Sequence, residues 1–250
     1  MTPFDAVAVA AAGLAAGAIN TIVGSGSLIT FPTLLAVGYD AVTANVSNTI
    51  GLVPGSVSGA IGYRRELRGQ RRRILTLLPA AVLGAVTGAI LLLAVPGAFR
   101  EIVPILILIA VGLVLVQPRV ARWRAQQGHI REHPGPALHV GVFLTAIYGG
   151  YFGAAQGVIL LALLAITLDD DLQRLNGVKN VIAAVVNAVA ALWFIAARTH
   201  IAWLAVVILL VSSSIGGQIG ALVGRRIPSN ALRAVIAVVG TAVAIKLLIA

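Results

Sequence analysis

Eight apolar runs, each near the ~20 residues a helix needs to cross a bilayer, occupy most of the chain: 5–23, 41–63, 74–94, 100–117, 137–153, 175–197, 201–222 and 231–249. In hydrocarbon every backbone N–H and C=O must find a partner within the protein, so such runs fold as helices. The chain is therefore predicted to be an all-α polytopic membrane protein. With 59% hydrophobic and 10% charged residues, 250 residues carry too little polar surface to cover a water-soluble globule. The mean hydropathy of +1.01 agrees. The expected location is the cell inner (plasma) membrane, crossed several times. The first run opens on Asp5 with no Lys or Arg, which reads as a span rather than a cleaved signal peptide.

Two interruptions stand out. Gly24-Ser25-Gly26-Ser27, followed by Leu28-Ile29-Thr30-Phe31-Pro32, breaks one apolar stretch, and Gly153-Ala154-Ala155-Gln156-Gly157 repeats the break more weakly about 130 residues later. The runs that follow, 28–37 and 157–168, are too short to span alone. Irregular backbone survives at membrane depth only where protein or a watery cavity satisfies it, so paired breaks point to a transport site. Each half has the same order: apolar run, break, short run, polar turn and three further spans. The turn Gly38-Tyr39-Asp40 matches Asp169-Asp170-Asp171, and Asn45-Val46-Ser47-Asn48 matches Asn176-Gly177-Val178-Lys179-Asn180. This predicts a first transmembrane repeat at 1–118, a cytoplasmic linker at 119–136 and a second repeat at 137–250.

The formal charge of +10 comes largely from arginines between the apolar runs: Arg64, Arg65, Arg68, Arg71, Arg72 and Arg73, then Arg119, Arg122, Arg124 and Arg131. Such clusters read as cytoplasmic loops beside anionic lipid headgroups, not as a nucleic-acid surface. If Arg225 and Arg226 are also cytoplasmic, each break must fold into a re-entrant hairpin, leaving three crossings per half and inverting the second half relative to the first. Small residues at spacing four, such as Gly84 and Gly88 or Gly216 and Gly220, read as close helix packing.

Carboxylates are confined to loops and run ends, so a proton relay through the membrane has no support. The polar groups at depth are hydroxyls, amides and one cation, Lys179. Donors of this kind, with helix N-termini opened by the breaks, suit an anion. The candidate substrate contacts are Asn20, Gly24, Ser25, Gly26, Ser27, Asn45, Asn48, Gly153, Gln156, Gly157, Lys179 and Asn180, with backbone N–H groups near Gly24, Gly26, Gly153 and Gly157. No zinc spacing, Walker motif or dinucleotide fingerprint occurs, so neither metal nor cofactor is expected. Ser25 lacks an obvious base, which argues against a hydrolase.

Taken together, Gly17-Ala18-Ile19-Asn20-Thr21-Ile22-Val23-Gly24-Ser25-Gly26-Ser27, Phe31-Pro32, Ala44-Asn45, Gly59-Ala60-Ile61-Gly62-Tyr63-Arg64-Arg65, Tyr148-Gly149-Gly150-Tyr151-Phe152-Gly153 and Lys179-Asn180 form a pattern that resembles the TauE/SafE family of membrane permeases. The resemblance covers nearly the full length and implies a secondary transporter of sulfur-containing anions such as sulfite or organosulfonates. Moving an anion out of a negative interior is favoured by about 2.3 kcal/mol per charge per 100 mV, so export needs no coupling ion. An anion channel, a cation-coupled importer of another small organic anion and a non-transporting assembly subunit share these residues and stay open on sequence alone.

Overall fold

The computed structural model describes residues 1–125 and 135–223, with positions 234, 237, 238, 241, 242, 244 and 245 of the last apolar run. Residues 126–134, inside the expected linker, and Arg225 and Arg226 lie outside the described residues. The first half contributes α1 (Pro3–Ile22), α2 (Ser27–Ala36), α3 (Ala41–Gly62), α4 (Arg71–Ala94) and α5 (Pro96–Ala125). The second contributes α6 (Pro136–Tyr151), α7 (Gln156–Thr167), α8 (Leu172–Ala196) and α9 (Trp203–Val223). Among the described residues all regular structure is helical, and five helices are long and apolar enough to cross a membrane: α1, α4, α5, α8 and α9. At 22 residues α3 has the length as well, but it carries Asn45, Ser47, Asn48, Thr49, Ser56 and Ser58, all buried against other helices.

Local chemistry starts these helices where the polar turns fall. Thr2 and Asp5 form a reciprocal capping box on α1. The Asp40 carboxylate accepts from the N–H groups of Val42 and Thr43 at 3.0 and 3.2 Å, and Asp171 accepts from Gln173 and Arg174 at 2.8 and 3.3 Å. Both predicted turns are thus helix N-caps, which satisfy orphan donors and favour negative charge at the positive end of the helix dipole.

The chain reverses at each break. The Gly26 backbone lies against the Ala16 carbonyl and the Asn20 side chain, so α2 folds back along α1. With 10 and 12 residues, α2 and α7 reach only ~15 and ~18 Å, about half the hydrocarbon core. The direction of each hairpin follows from its neighbours. Gly13 faces Ser212, Gly17 faces Ser213 and Gly217, and Ala18 faces Gly220, so α1 and α9 run the same way. Gly84 faces Ala146 and Gly88 faces Tyr151, so α4 and α6 do too. The ion pair between Arg73 of α4 and Asp170 before α8 places the starts of α4 and α8 at one end, beside the arginine loop. Since α8 then runs away from that end, α9 begins at the other. The hairpins therefore come in from opposite ends of the bundle.

The halves interlock. In the first half α1 and α3 pack on α9, while α6 and α8 pack on α4, and α3 meets α8 at the centre. Glycine makes the approach possible: a Cβ on Gly88 would sit 2.0 Å from the Ile147 carbonyl oxygen. Gly88→Ala is expected to destabilise the protein by about 1–3 kcal/mol, as overpacking does, and to lower its melting temperature. Gly112→Ala, where no neighbouring atom lies within 4 Å, should leave melting unchanged or slightly higher.

At the arginine-loop end Asp170 accepts from Gln70 at 2.7 Å and pairs with Arg73 at 2.5 Å and Arg174 at 2.8 Å. Partial burial alone would raise its pKa, but the bonds from Arg73 and Gln70 outweigh it and hold the carboxyl below its ordinary 3.8. A depressed carboxyl pKa stabilises the fold above the unfolded value and loses that contribution on acidification. Asp170→Asn should therefore lower the melting temperature at pH 7, and the gap to wild type should narrow as pH falls below about 4.

Candidate substrate site

Both breaks open with the same backbone turn. The N–H groups of Val23 and Gly24 donate to the Ile19 carbonyl at 2.7 and 3.1 Å, and those of Phe152 and Gly153 donate to the Tyr148 carbonyl at 2.9 and 3.1 Å. Gly24 and Gly153 then turn left-handed, with φ of 91° and 76°. The breaks touch: the Gly157 N–H donates to the Gly24 carbonyl at 3.1 Å. A Cβ on Gly157 would lie 2.5 Å from the Gly24 Cα, so neither residue can carry a side chain.

The carbonyl ends of the broken helices are capped by the opposite half. Asn45 of α3 donates from Nδ2 to the Tyr151 carbonyl at the end of α6, at 2.9 Å. Reciprocally, Asn176 and Asn180 of α8 each donate to the Thr21 carbonyl at the end of α1, at 3.3 Å. Lys179 Nζ donates to the Asn20 and Thr21 carbonyls at 3.0 and 3.3 Å. Lys179 is fully buried, so it does not reach out to lipid. Its place corresponds to Asn48 in the first half, and it breaks the symmetry by setting an amine donor at the carbonyl end of α1. Asn48 stays within its own half, donating to Ser27 Oγ at 3.1 Å and accepting from the Thr30 hydroxyl.

The N–H groups within the breaks are treated differently. Among the described residues nothing accepts from the N–H groups of Ser25, Gly26, Ser27, Ala154 or Ala155. Of the four glycines expected to offer backbone donors, Gly24, Gly153 and Gly157 have theirs committed, and Gly26 alone keeps a free one. Four buried side-chain atoms in the same region have no partner: Ser25 Oγ, Gln156 Nε2, Asn45 Oδ1 and Asn176 Oδ1. Ala155 holds a left-handed φ of 58°, unusual for a residue with a Cβ. Tyr148 steadies that break by donating its hydroxyl to the Ala154 carbonyl at 2.7 Å. Asn20 turns its side chain away, onto Ser56 Oγ at 3.0 Å.

Aromatic rings close the region on the side where α5 begins. Phe152 of the second break stacks edge-on against Phe31 and Phe99 with centroids 5.3 and 5.8 Å apart, and Phe99 meets Tyr151 at 5.4 Å. Neither this cluster nor the capping role of Asn176 is among the expected contacts. Asn176 had a usable signal, since it and Asn45 stand at the same distance from the N-cap aspartates of their helices.

Two interlocked hairpins, each pairing a broken helix with a short one and leaving buried polar atoms unpaired where they meet, in a bundle with five helices long enough to cross a bilayer, have the form of a multi-pass membrane protein with discontinuous helices. The chain belongs to the Sulfite exporter TauE/SafE family, whose model matches residues 9–247. It is 27% identical over 236 residues to the Probable membrane transporter protein YfcA of Escherichia coli strain K12, covering 93% of this chain and 86% of that one. A Probable membrane transporter protein of Haemophilus influenzae is 28% identical over 211 residues, covering 84% and 81%. No solved structure matches the chain significantly.

Lys179→Met leaves two buried carbonyls with fewer donors and should destabilise the ligand-free protein by about 1–3 kcal/mol, read as a lower melting temperature without any anion present. Unchanged melting would mean that the cap contributes nothing to folding.

Proposed function

We propose that this transporter carries small sulfur-containing anions, sulfite or organosulfonates, and exports them by alternating access at the meeting of the two breaks. One observation supports this above the others. Amides and Lys179 cover the carbonyl ends of α1 and α6, while the N–H groups of Ser25, Gly26 and Ser27 in the first break and of Ala154 and Ala155 in the second stay unpaired, beside Ser25 Oγ and Gln156 Nε2. A site that keeps its donors and covers its acceptors is built for negative charge. The two open acceptors, Asn45 Oδ1 and Asn176 Oδ1, suit a substrate that also carries an O–H or N–H, such as a protonated oxyanion or an aminosulfonate.

Residue roles follow. Ser25, Gln156 and the N–H of Gly26 contact the anion directly, and Asn45 and Asn176 accept from its protons. Gly24, Gly153 and Gly157 allow the backbones to cross. Lys179 and Asn180 act through α1, holding the break in place while Lys179 adds positive potential, and Asn48 and Ser27 position the start of α2. The repeats at 1–118 and 137–250, joined by a cytoplasmic linker at 119–136, supply one hairpin each. Because α1 and α3 are packed on α9, and α6 and α8 on α4, the bodies that rock are these mixed bundles rather than the sequence halves. The Phe31, Phe99 and Phe152 cluster then forms one gate.

Thermal melting of the purified protein across sulfite, sulfate, thiosulfate, sulfoacetate, taurine and chloride tests the reading. A sulfur anion at 100 times its Kd should stabilise by about 2.7 kcal/mol, and chloride should not. Ser25→Ala or Gln156→Ala should weaken that binding about 10- to 100-fold, as loss of a hydrogen bond to a charged group does. No shift with any of these anions in folded protein would overturn the substrate class. Flux into proteoliposomes that saturates and shows countertransport separates a transporter from a channel.

A further inference from the structure

On the bilayer side of the α3–α8 contact the two helices part into an open groove of about 470 Å³. Its walls include Val57, Ala60 and Ile61 of α3 and Ala184 and Ala188 of α8, and its one charged lining residue is Arg64. Arg64 stands two residues past the end of α3, after the C-cap Tyr63 and at the end where α8 begins, so it lies at the mouth. From Val57 to Arg64 the trough runs about 10 Å into the hydrocarbon. The alanines make the trough, and Val57 and Ile61 on its rim are 43% and 52% exposed.

We propose that this groove is a binding site for one anionic membrane phospholipid, with an acyl chain lying between α3 and α8 and its phosphate on Arg64. Two independent features meet here. The lining offers a methylene chain contact along its length and no hydrogen bond below the mouth. The mouth offers uncompensated positive charge: Arg73 and Arg174 share Asp170, whereas no carboxylate pairs with Arg64 among the described residues, and Arg65 and Arg68 beside it are exposed. A soluble anion would use only the arginine. A zwitterionic lipid would bring its ammonium against the same cluster, so a net negative headgroup is preferred.

The site goes beyond the transport reading and does not rest on it, yet it touches the same framework. Directly behind the lining, Asn187 donates to Ser56 Oγ at 3.3 Å, and Asn20 of the broken α1 donates to the same oxygen at 3.0 Å. A chain seated in the groove covers this junction on its lipid side and clamps α3 to α8.

Native mass spectrometry of the full chain with phosphatidylglycerol and phosphatidylcholine of matched acyl chains tests the site. The wild type should bind phosphatidylglycerol about fivefold more tightly, the difference one arginine makes near an anionic headgroup. Arg64→Gln should remove that preference, while Arg72→Gln, an exposed arginine at the start of α4 outside the groove, should keep it. Ala188→Phe, which fills the trough, should lose both lipids. Equal binding of the two lipids by wild type would overturn the proposal. So would equal losses in Arg64→Gln and Arg72→Gln, which would mark general surface attraction, or wild-type affinity in Ala188→Phe. If the phenylalanine variant does not fold, the two arginine variants decide alone.

Discussion

Breaking a helix inside a membrane bares carbonyls and N–H groups that lipid cannot satisfy, and the rest of this structure is arranged around that constraint. The hydrogen bond from Gly157 to the Gly24 carbonyl ties the breaks together, and it forms only because both positions lack a side chain. The side chains that cap the last carbonyls of α1 and α6 come from across the molecule. Asn45 reaches from the first half to α6, and Asn176, Lys179 and Asn180 reach from the second half to α1. Neither hairpin is complete without the other half.

The same exchange is seen in the packing. Glycine stripes on α4 and α9 bring those helices against α6 and α1 of the opposite halves. Interlocking of this kind removes a simple hinge between the sequence halves and leaves the α3–α8 contact as the seam. The unpaired donors, the groove headed by Arg64 and the Ser56 junction all lie on or beside helices of that seam. Each cap crosses that seam, from α3 to α6 and from α8 to α1, so a movement that changes access to the crossing must strain or release these bonds.

Much of this was legible in the residues. Apolar length fixes the helices, and the aspartates at 40 and 171 mark where α3 and α8 begin. The two breaks are visible because glycine and polar residues interrupt runs that otherwise have no reason to stop. Lys179 was harder. A cation amid amides reads as an anion ligand or as a side chain reaching for the interface, and only the fold reveals that its nearest acceptors are the carbonyls of α1. Free backbone donors are hard to read from sequence for a related reason. Glycine announces that a backbone can be approached, but not by what, and at Gly157 the approaching group is Gly24. The aromatic cluster draws on residues from α2, α5 and the second break, a meeting that no local pattern encodes.

The central claim is that the crossing of the breaks is an anion site made of unpaired donors. Anomalous diffraction from crystals soaked in selenite, a heavier analogue of sulfite, locates such an anion directly. The predicted result is a selenium peak between the breaks, within hydrogen-bond reach of Ser25 Oγ and Gln156 Nε2. Selenium confined to the arginine loop, or absent from the crossing in well-ordered crystals, would contradict it.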